Sequence, residues 1–302
     1  MLLNLHEILP LRRHNFMHKI TSVGVIGLGI IGKPIAERLL KAGFQVAVHD
    51  VRDEPMEALA QAGATACTTS AEVAAGSTLI ISLVLDAPQT DAVVSGADGI
   101  CRTIKPGSIF ATGSTLGPAP VQRAAAALAA KGCATIDMPI TGGYLAASEG
   151  KLALMLGGEQ QVIARALPAF QSFATTITRA GDIGAGQAAK LAHQLIMSVN
   201  VLGLLEGLSL GIAGGVDANV LRQIIKDGLA NSTVLQVWGD LGPRWKGMLK
   251  PAPSDAPLPN LRKDLHSALA LARTLGLDLP IGALTSRVAD SGTAVGHADP
   301  KI

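Results

Sequence analysis

Short apolar runs alternate with helix-like periodicity through the first 180 residues. Five runs have the length and composition of strands buried on both faces of a parallel sheet, and they span residues 23–26, 44–49, 79–85, 108–111 and 134–137. After the first run, apolar residues recur at helical spacing, with Pro34 in the first turn and Gly43 just past the end. The alternation predicts an α/β domain with a doubly wound parallel sheet.

The pattern becomes helical after about residue 181. Helices are predicted at 184–214, 217–227, 261–275 and 281–290. We therefore expect a nucleotide-binding domain over 19–181 and an all-α substrate and dimerisation domain over 182–302. The proline-rich segment 251–259 is interpreted as a loop, because helices flank it on both sides. Residues 1–18 fit neither pattern and are interpreted as a disordered extension, with an organelle presequence left open.

Mean hydropathy is high, at +0.38, and raises the question of a membrane span. The strongest candidate covers 195–213, which is long enough to cross a bilayer. It contains Asn200 and Glu206 and has no flanking aromatic belt or basic asymmetry. A helix buried in the core is the favoured interpretation, and we expect no association with a membrane.

Composition argues against several other classes of protein. A net charge of +2 and 3% aromatic residues give neither a basic field nor stacking platforms for nucleic acid. The cysteines are Cys67, Cys101 and Cys133, an odd number with no C-x-x-C spacing, and no H-E-x-x-H motif occurs. Neither a disulfide framework nor a metal site is expected, and a reducing cytoplasmic location is favoured.

A glycine motif lies between the first predicted strand and helix. Gly27, Gly29 and Gly32 form G-x-G-x-x-G, and Asp50 follows 18 residues after the last glycine, at the end of the second predicted strand. In this context the motif is the Rossmann fingerprint for a dinucleotide, with the pyrophosphate at the helix N-terminus. Asp50 would accept hydrogen bonds from the adenosine ribose and favours NAD; Arg52 keeps NADP possible.

A second group of candidate residues opens the helical part. Lys190 and His193 are three apart, hence on one helix face, just after the glycine-rich turn at 181–186. A lysine that loses hydration in a cleft can act as general acid or base. The alternative is a solvated helix lysine, which is the commoner environment for this residue type.

Several motifs together resemble the β-hydroxyacid dehydrogenase family over about residues 20–290. They are GLGIIGKPIAERLLKAGF at 27–44, STLGP at 114–118, DMPITGG at 137–143, GKLALMLGG at 150–158, GDIGAGQAAKLAHQ at 181–194 and LRKDL at 261–265. GLANSTVL at 228–235 is most similar to the branch that reduces tartronate semialdehyde. The resemblance implies a Rossmann-type domain followed by an all-α domain of the 6-phosphogluconate dehydrogenase C-terminal type.

The resemblance also implies a role for each matching residue. Lys190 falls on the catalytic lysine, which protonates the carbonyl oxygen in reduction and deprotonates the hydroxyl in oxidation. Lys263 falls on a lysine that closes over the cofactor; the alternative is an ion pair with Asp264 or another acid. The other residues assigned to the substrate are Ser114, Thr141, Gly142, Gly143, His193, Gln194 and Asn231. The other residues assigned to the cofactor are Gly27, Leu28, Gly29, Ile30, Ile31, Gly32, Asp50, Val84, Leu85 and Thr115.

Two departures from the family pattern bear on the substrate. His193 stands where most simple members have Asn, as in the threonate-type branch, and indicates a larger or more hydroxylated substrate. Met197 stands where the decarboxylating 6-phosphogluconate enzymes carry a glutamate, which disfavours oxidative decarboxylation.

The expected activity is NAD-dependent interconversion of a small 3-hydroxycarboxylate and its semialdehyde or oxo acid, of the 2-hydroxy-3-oxopropionate or 3-hydroxyisobutyrate type. Alternatives are a four-carbon sugar-acid dehydrogenase of the L-threonate type, an imine reductase, and a dinucleotide-binding sensor or reader without catalysis. Lys190 argues against the last two, since both would be expected to lose it. The resemblance further implies a homodimer or homotetramer.

Overall fold

A computed structural model describes residues 19–236 and 259–291. Within these residues the chain forms one nine-stranded sheet, in the order β3-β2-β1-β4-β5-β6-β8-β7, with β9 also paired to β8. The strands are β1 Ser22–Ile26, β2 Gln45–His49, β3 Thr65–Ala66, β4 Leu79–Ser82, β5 Ile109–Thr112, β6 Ala134–Asp137, β7 Ile140–Thr141, β8 Leu152–Gly157 and β9 Ala174–Gly181.

The sheet is parallel from β3 through β6 and antiparallel where β8 joins β6 and β7. The predicted α/β fold is therefore confirmed, although the sheet is mixed and not wholly parallel. The apolar run of β8 marks a buried strand but does not encode its direction. β6 and β7 run in the same direction, and the chain reverses between β7 and β8, across α6 Gly143–Glu149.

Helices cover both faces of the sheet. They are α1 Gly32–Lys41, α2 Asp53–Gln61, α3 Ser70–Gly76, α4 Ala87–Ser95, α5 Pro118–Ala129, α6 Gly143–Glu149 and α7 Gln160–Phe170, with a 3-10 turn at Ile100–Arg102. One core cluster centres on Val25, Leu39 and Phe170, and a second on Ile80 and Phe110. Both clusters are apolar because strands of this sheet are buried on two sides.

The third predicted strand is shorter than expected. Residues 79–85 were predicted to be extended, but β4 ends at Ser82, and the predicted turn at 86–88 is the start of α4. Asp86 caps that helix by accepting a hydrogen bond from the Gln89 N–H at 2.9 Å. The apolar run continues past the strand because Val84 and Leu85 line a cleft.

The helical part comprises α8 Ala185–Ala213, α9 Ala218–Asp227, α10 Thr233–Gln236, α11 Pro259–Thr274 and α12 Pro280–Ser291. Helices α11 and α12 pack along α8, and a small core forms around Val201, Leu205 and Val234. The sheet ends at Gly181 and α8 begins four residues later. The domain division at 181 stays a prediction. Residues 1–18 and most of the predicted loop at 251–259 lie outside the described residues.

Helix α8 is long and apolar enough to cross a membrane by length and composition alone. Of its most apolar 18-residue window, 28% is buried within the chain. The predicted buried-helix interpretation therefore fits only part of α8: Val201 and Leu208 are buried, whereas Ile196 and Leu210 are exposed. A single such helix is weak evidence for a span.

Candidate functional site

A cleft of about 1540 Å³ runs along the carboxyl ends of β1, β2, β4 and β5 and is bounded on its other side by α8 and α11. This is the edge at which doubly wound sheets bind ligands. Two walls face each other. The sheet wall consists of the loops at 27–32, 83–85, 113–115 and 140–143, and the helical wall consists of residues of α8, α10 and α11.

The glycines of the first loop make a cradle. Gly27 has a φ of +90°, and a Cβ there would lie 2.8 Å from the Leu83 carbonyl oxygen. A Cβ on Gly32 would collide with the Gly27 carbonyl oxygen. At Gly29, by contrast, a Cβ would meet nothing within 4 Å. Gly27 and Gly32 thus permit the turn itself, while Gly29 leaves open space beside the N-terminus of α1, which fits a dinucleotide pyrophosphate.

Asp50 directly follows β2, next to this cradle, and is buried. It accepts hydrogen bonds from the Leu28 N–H at 2.6 Å, the Arg52 N–H at 3.0 Å and the Arg52 Nε at 2.9 Å. Burial raises the pKa of Asp50, but these hydrogen bonds outweigh it and hold the pKa below its ordinary value. The carboxylate is ionised, with the Arg52 guanidinium beside it.

Lys190 projects from the second turn of α8 into the cleft and is 6% exposed. Burial lowers its pKa, and the positive charge of Lys263 lowers it further, while the carboxylate of Asp264 opposes both. His193 follows on the same face; burial and the charge of Lys190 lower its pKa, against a hydrogen bond with Gln194 that raises it. The Lys190 ammonium therefore releases its proton more readily than that of a solvated lysine, which makes the neutral form easier to reach.

A chain of polar contacts joins α8 to α11 and to the sheet wall. The Gln194 Nε2 donates to Asp264 Oδ2 at 2.7 Å, and the Lys263 Nζ lies 3.1 Å from Asp264 Oδ1 as an ion pair without hydrogen-bond alignment. The Lys263 Nζ also donates to the Thr115 carbonyl oxygen at 2.6 Å. Asp264, 3% exposed, is thus the buried counter-charge of the two lysines.

The loop after β7 lines the same cleft as Lys190. Thr141, Gly142 and Gly143 all line the cleft, and the two glycines have φ of +125° and +70°. A Cβ on Gly142 would lie 2.7 Å from Ala146 Cβ. Successive backbone N–H groups of a turn can form a concavity that binds anions, which is the chemistry that a substrate carboxylate requires.

The structure brings most predicted site residues into this one cleft. It is lined by Gly27, Gly29, Ile30, Ile31, Gly32, Asp50, Val84, Leu85, Ser114, Thr115, Thr141, Gly142, Gly143, Lys190, His193, Gln194 and Lys263. Leu28 does not line it but supports Asp50 through its N–H. Asn231 is exposed and is not among the lining residues; it lies in the turn after α9, where its N–H donates to the Gly228 carbonyl oxygen.

Sequence reasoning missed two buried residues. Gln187 is fully buried between α8 and the 114–117 segment, and Asp264 faces both lysines. Gln187 could have been noticed because it precedes Lys190 by three residues, on the same helix face. Asp264 was considered only as an ion-pair partner of Lys263, which the structure shows it to be, and was not assigned to the site. Asn200, Ser232 and Thr233 also line the cleft and were not singled out.

Comparison with known proteins gives matches to two family models. Residues 22–181 match the NAD binding domain of 6-phosphogluconate dehydrogenase. Residues 184–301 match the NAD-binding domain of NADP-dependent 3-hydroxyisobutyrate dehydrogenase.

Similar proteins span most of the chain. An NAD-dependent L-serine dehydrogenase of Pseudomonas aeruginosa is 30% identical over 87% of this chain and 89% of its own length. An L-threonate dehydrogenase of Cupriavidus necator is 30% identical over 91% and 92%. A 2-hydroxy-3-oxopropionate reductase of Escherichia coli is 32% identical over 86% and 87%. Among solved structures, a 3-hydroxyisobutyrate dehydrogenase from Salmonella typhimurium superposes with a TM-score of 0.76, at 27% identity, over 89% and 93% of the two chains.

Proposed function

This chain belongs to the β-hydroxyacid dehydrogenase family of NAD(P)-dependent enzymes, and we propose that it interconverts a small 3-hydroxycarboxylate and its semialdehyde or oxo acid. The substrate we favour is of the 2-hydroxy-3-oxopropionate or 3-hydroxyisobutyrate type. We propose Lys190 as the general acid and base. The observation that carries this proposal is the buried Lys190 amine, with its lowered pKa, in the cleft that the Thr141–Gly143 loop also lines.

The proposed proton transfer follows from the position of Lys190. In reduction, the Lys190 ammonium donates one proton from Nζ to the substrate carbonyl oxygen, which becomes the hydroxyl. In oxidation, neutral Lys190 takes the hydroxyl proton back. The nicotinamide, when bound, supplies or receives the hydride at the substrate carbon. The negative charge of Asp264 raises the pKa of Lys190 and so opposes the effect of burial, which favours the protonated form that donates in reduction.

Substrate orientation is assigned to the sheet wall. Backbone N–H groups of Gly142 and Gly143, with the Thr141 hydroxyl, would hold the substrate carboxylate at a fixed distance from Lys190. Ser114 is held by a hydrogen bond from its Oγ to the Val84 carbonyl oxygen, which directs the 114–115 backbone along the cleft. The carboxylate and the reacting carbon would then lie between the two walls.

Replacing the proposed acid and base tests the mechanism. Lys190→Met should lower kcat about 1000-fold or more, since general acid–base catalysis contributes roughly 10²–10⁴-fold, while the Kd for NADH, measured by fluorescence, stays within about threefold. Lys226→Met on α9, also a helix lysine but exposed, is the matched control and should leave both values unchanged. Turnover of Lys190→Met close to the wild-type rate would disprove the assignment.

A four-carbon sugar acid of the L-threonate type is a second candidate substrate. Its support is the polar lining beyond Lys190, where His193 is joined by Asn200, Ser232 and Thr233. Hydroxyl groups beyond the third carbon would find partners there. A panel of tartronate semialdehyde, 3-hydroxyisobutyrate and L-threonate, measured with wild type and His193→Asn, separates the two. A preference for L-threonate that His193→Asn abolishes supports the second candidate; a preference for either three-carbon backbone contradicts it.

Assembly and location are also proposals. We propose a homodimer or homotetramer, supported by apolar side chains that α8 and α9 leave exposed, among them Leu210, Val220 and Ile224. A cytoplasmic location is proposed as well, supported by the three unpaired cysteines.

A further inference from the structure

Gln187 links the two walls of the cleft through its side-chain amide. It is 0% exposed. Its Oε1 accepts hydrogen bonds from the Leu116 N–H at 2.8 Å and the Gly117 N–H at 3.1 Å, and its Nε2 donates to the Ser114 carbonyl oxygen at 2.9 Å. A single side chain from α8 therefore satisfies three backbone groups of the 114–117 segment, which belongs to the sheet wall.

The helix that carries Gln187 is itself fixed to the sheet. Asp137, at the end of β6, accepts hydrogen bonds from the Gly184 N–H at 2.7 Å and the Gln187 N–H at 2.8 Å. Gly186 is packed so closely that a Cβ would collide with the Met155 carbonyl oxygen. The first turn of α8 thus has little room to shift or rotate, and the placement of the Gln187 side chain is determined by the sheet.

Gln187 and Lys190 are three residues apart on α8 and so share a helix face. The 114–117 segment that Gln187 holds contributes Ser114 and Thr115 to the cleft lining, alongside Lys190. Lys263 holds the same segment from α11, through its bond to the Thr115 carbonyl oxygen. The spacing between the proposed proton donor and the sheet wall is therefore set within one helical turn by Gln187.

We propose that Gln187 is a positioning residue for the reaction: it fixes the 114–117 segment, and with it the nicotinamide end of the cleft, at a set distance from Lys190. This proposal rests on the function proposed for Lys190. In this role Gln187 does not contact the substrate and takes no part in proton transfer. It acts by keeping the 114–117 segment at a fixed distance from Lys190. Displacement of a reacting group by about 1 Å can lower a rate about 100-fold.

The test uses Gln187→Met, which keeps the length and volume of the side chain and removes its hydrogen bonds. We expect kcat to fall about 30- to 100-fold, because the 114–117 segment loses its fixed spacing from Lys190. The Kd for NADH and the KM for substrate should change less than about threefold, since groups that contact either ligand are intact. The primary isotope effect on kcat with 4-deuterated NADH should rise, because hydride transfer becomes rate-limiting.

Two controls make the result decisive. Gln223→Met on α9 removes an exposed glutamine that donates to Asp227 and should leave kcat and the isotope effect unchanged. If Gln187→Met does not fold at the assay temperature, Gln187→Ala is measured at a temperature below its own melting midpoint, with the same expectations.

A kcat for Gln187→Met within about threefold of wild type, or a loss matched by an equal loss of NADH affinity with no change in isotope effect, overturns the proposal. Lys190→Met, measured in the same assay, separates this outcome from failure of the proposed function. If Lys190→Met is inactive and Gln187→Met is fully active, only the positioning role is wrong. If Lys190→Met is active, the function of Lys190 is wrong.

Discussion

The two walls of the cleft are built in different ways. The sheet wall includes two glycine-containing loops, the turn at 27–32 and the loop at 141–143, that bring backbone to the cleft. The helical wall presents long side chains that contact one another, Gln194 to Asp264 and Asp264 to Lys263. Backbone amides suit anionic groups shared by many ligands, whereas linked side chains can set a pKa. The difference suggests that binding and chemistry can be disrupted separately.

The largest effect on binding alone should come from Gly29→Val. Its side chain would occupy the open space beside α1, so we expect the Kd for NADH to rise about 100-fold, because the pyrophosphate loses its approach to the helix N-terminus. The melting temperature should change little, since a Cβ at Gly29 meets no protein atom within 4 Å. Titration of NADH fluorescence measures the first value and calorimetry the second. Gly76→Val, equally free of contacts, is the control. Unchanged NADH affinity would mean that the sheet wall does not bind the pyrophosphate.

A smaller effect, on the preference between NAD and NADP, is expected at the charged residues of the sheet wall. Arg52→Ala removes the cation beside Asp50 and leaves the carboxylate to repel a 2′-phosphate. The ratio of kcat/KM for NAD over NADP should rise about 10-fold, equivalent to one charge interaction of about 1.4 kcal/mol. Asp50→Asn should change the ratio in the opposite sense. Steady-state kinetics with both cofactors provides the measurement, and equal ratios in all three proteins would contradict it.

Removing charges from the helical wall should change the pH dependence of the reaction rate. Oxidation requires neutral Lys190, so its rate rises with pH through the pKa of Lys190. Asp264→Asn removes the negative charge that raises this pKa, so the inflection should move to lower pH. Lys263→Met removes a positive charge that lowers it, so the inflection should move to higher pH.

Profiles of kcat against pH for these two variants decide the point. Glu149→Gln, which removes an exposed acid paired with Lys151, should leave the inflection in place. Shifts of the same sign in Asp264→Asn and Lys263→Met would show that the two charges do not act on one group.

The smallest effect on turnover is expected for α9, which contributes no residue to the cleft lining. Helix α9 has no buried residue, and Val220 and Ile224, four apart on one face, are 54% and 60% exposed. If a second copy covers this face, Ile224→Glu should lower the molar mass measured by light scattering while kcat changes less than about twofold. Leu277→Glu, also at an exposed apolar residue, serves as control. An unchanged mass for Ile224→Glu would place the interface elsewhere.

The sheet wall could be predicted from the sequence because its function depends on local backbone. The spacing of Gly27, Gly29 and Gly32 implies a turn whichever residues surround it, and Asp50 follows at the end of the next strand. The direction of β8 could not be predicted, because an apolar run has no direction. The end of β4 was not predicted, because the apolar run continues through Val84 and Leu85, whose side chains line the cleft and do not belong to the strand.

The helical wall was only partly predictable. Lys190 and His193 could be placed on one face from their spacing. The pairing of Gln194 with Asp264 depends on α8 and α11 lying side by side, 70 residues apart in sequence, and no local pattern encodes that contact. Asn231 was assigned through a motif shared with relatives, and its orientation depends on the turn after α9, which the motif does not determine.

The attachment of α8 to the sheet has a kinetic consequence for ligand exchange. Asp137 is fully buried, and burial raises its pKa although hydrogen bonds to the carboxylate oppose this. Moving α8 away from the sheet at this point would break the hydrogen bonds that the Gly184 and Gln187 N–H groups donate to Asp137. Opening at this point is therefore the slowest route by which the cleft could release a dinucleotide. The far end, where Arg52 is largely exposed, has no such anchor among the described residues. Departure of the cofactor should begin with its adenosine end, and the nicotinamide should be the last part to leave.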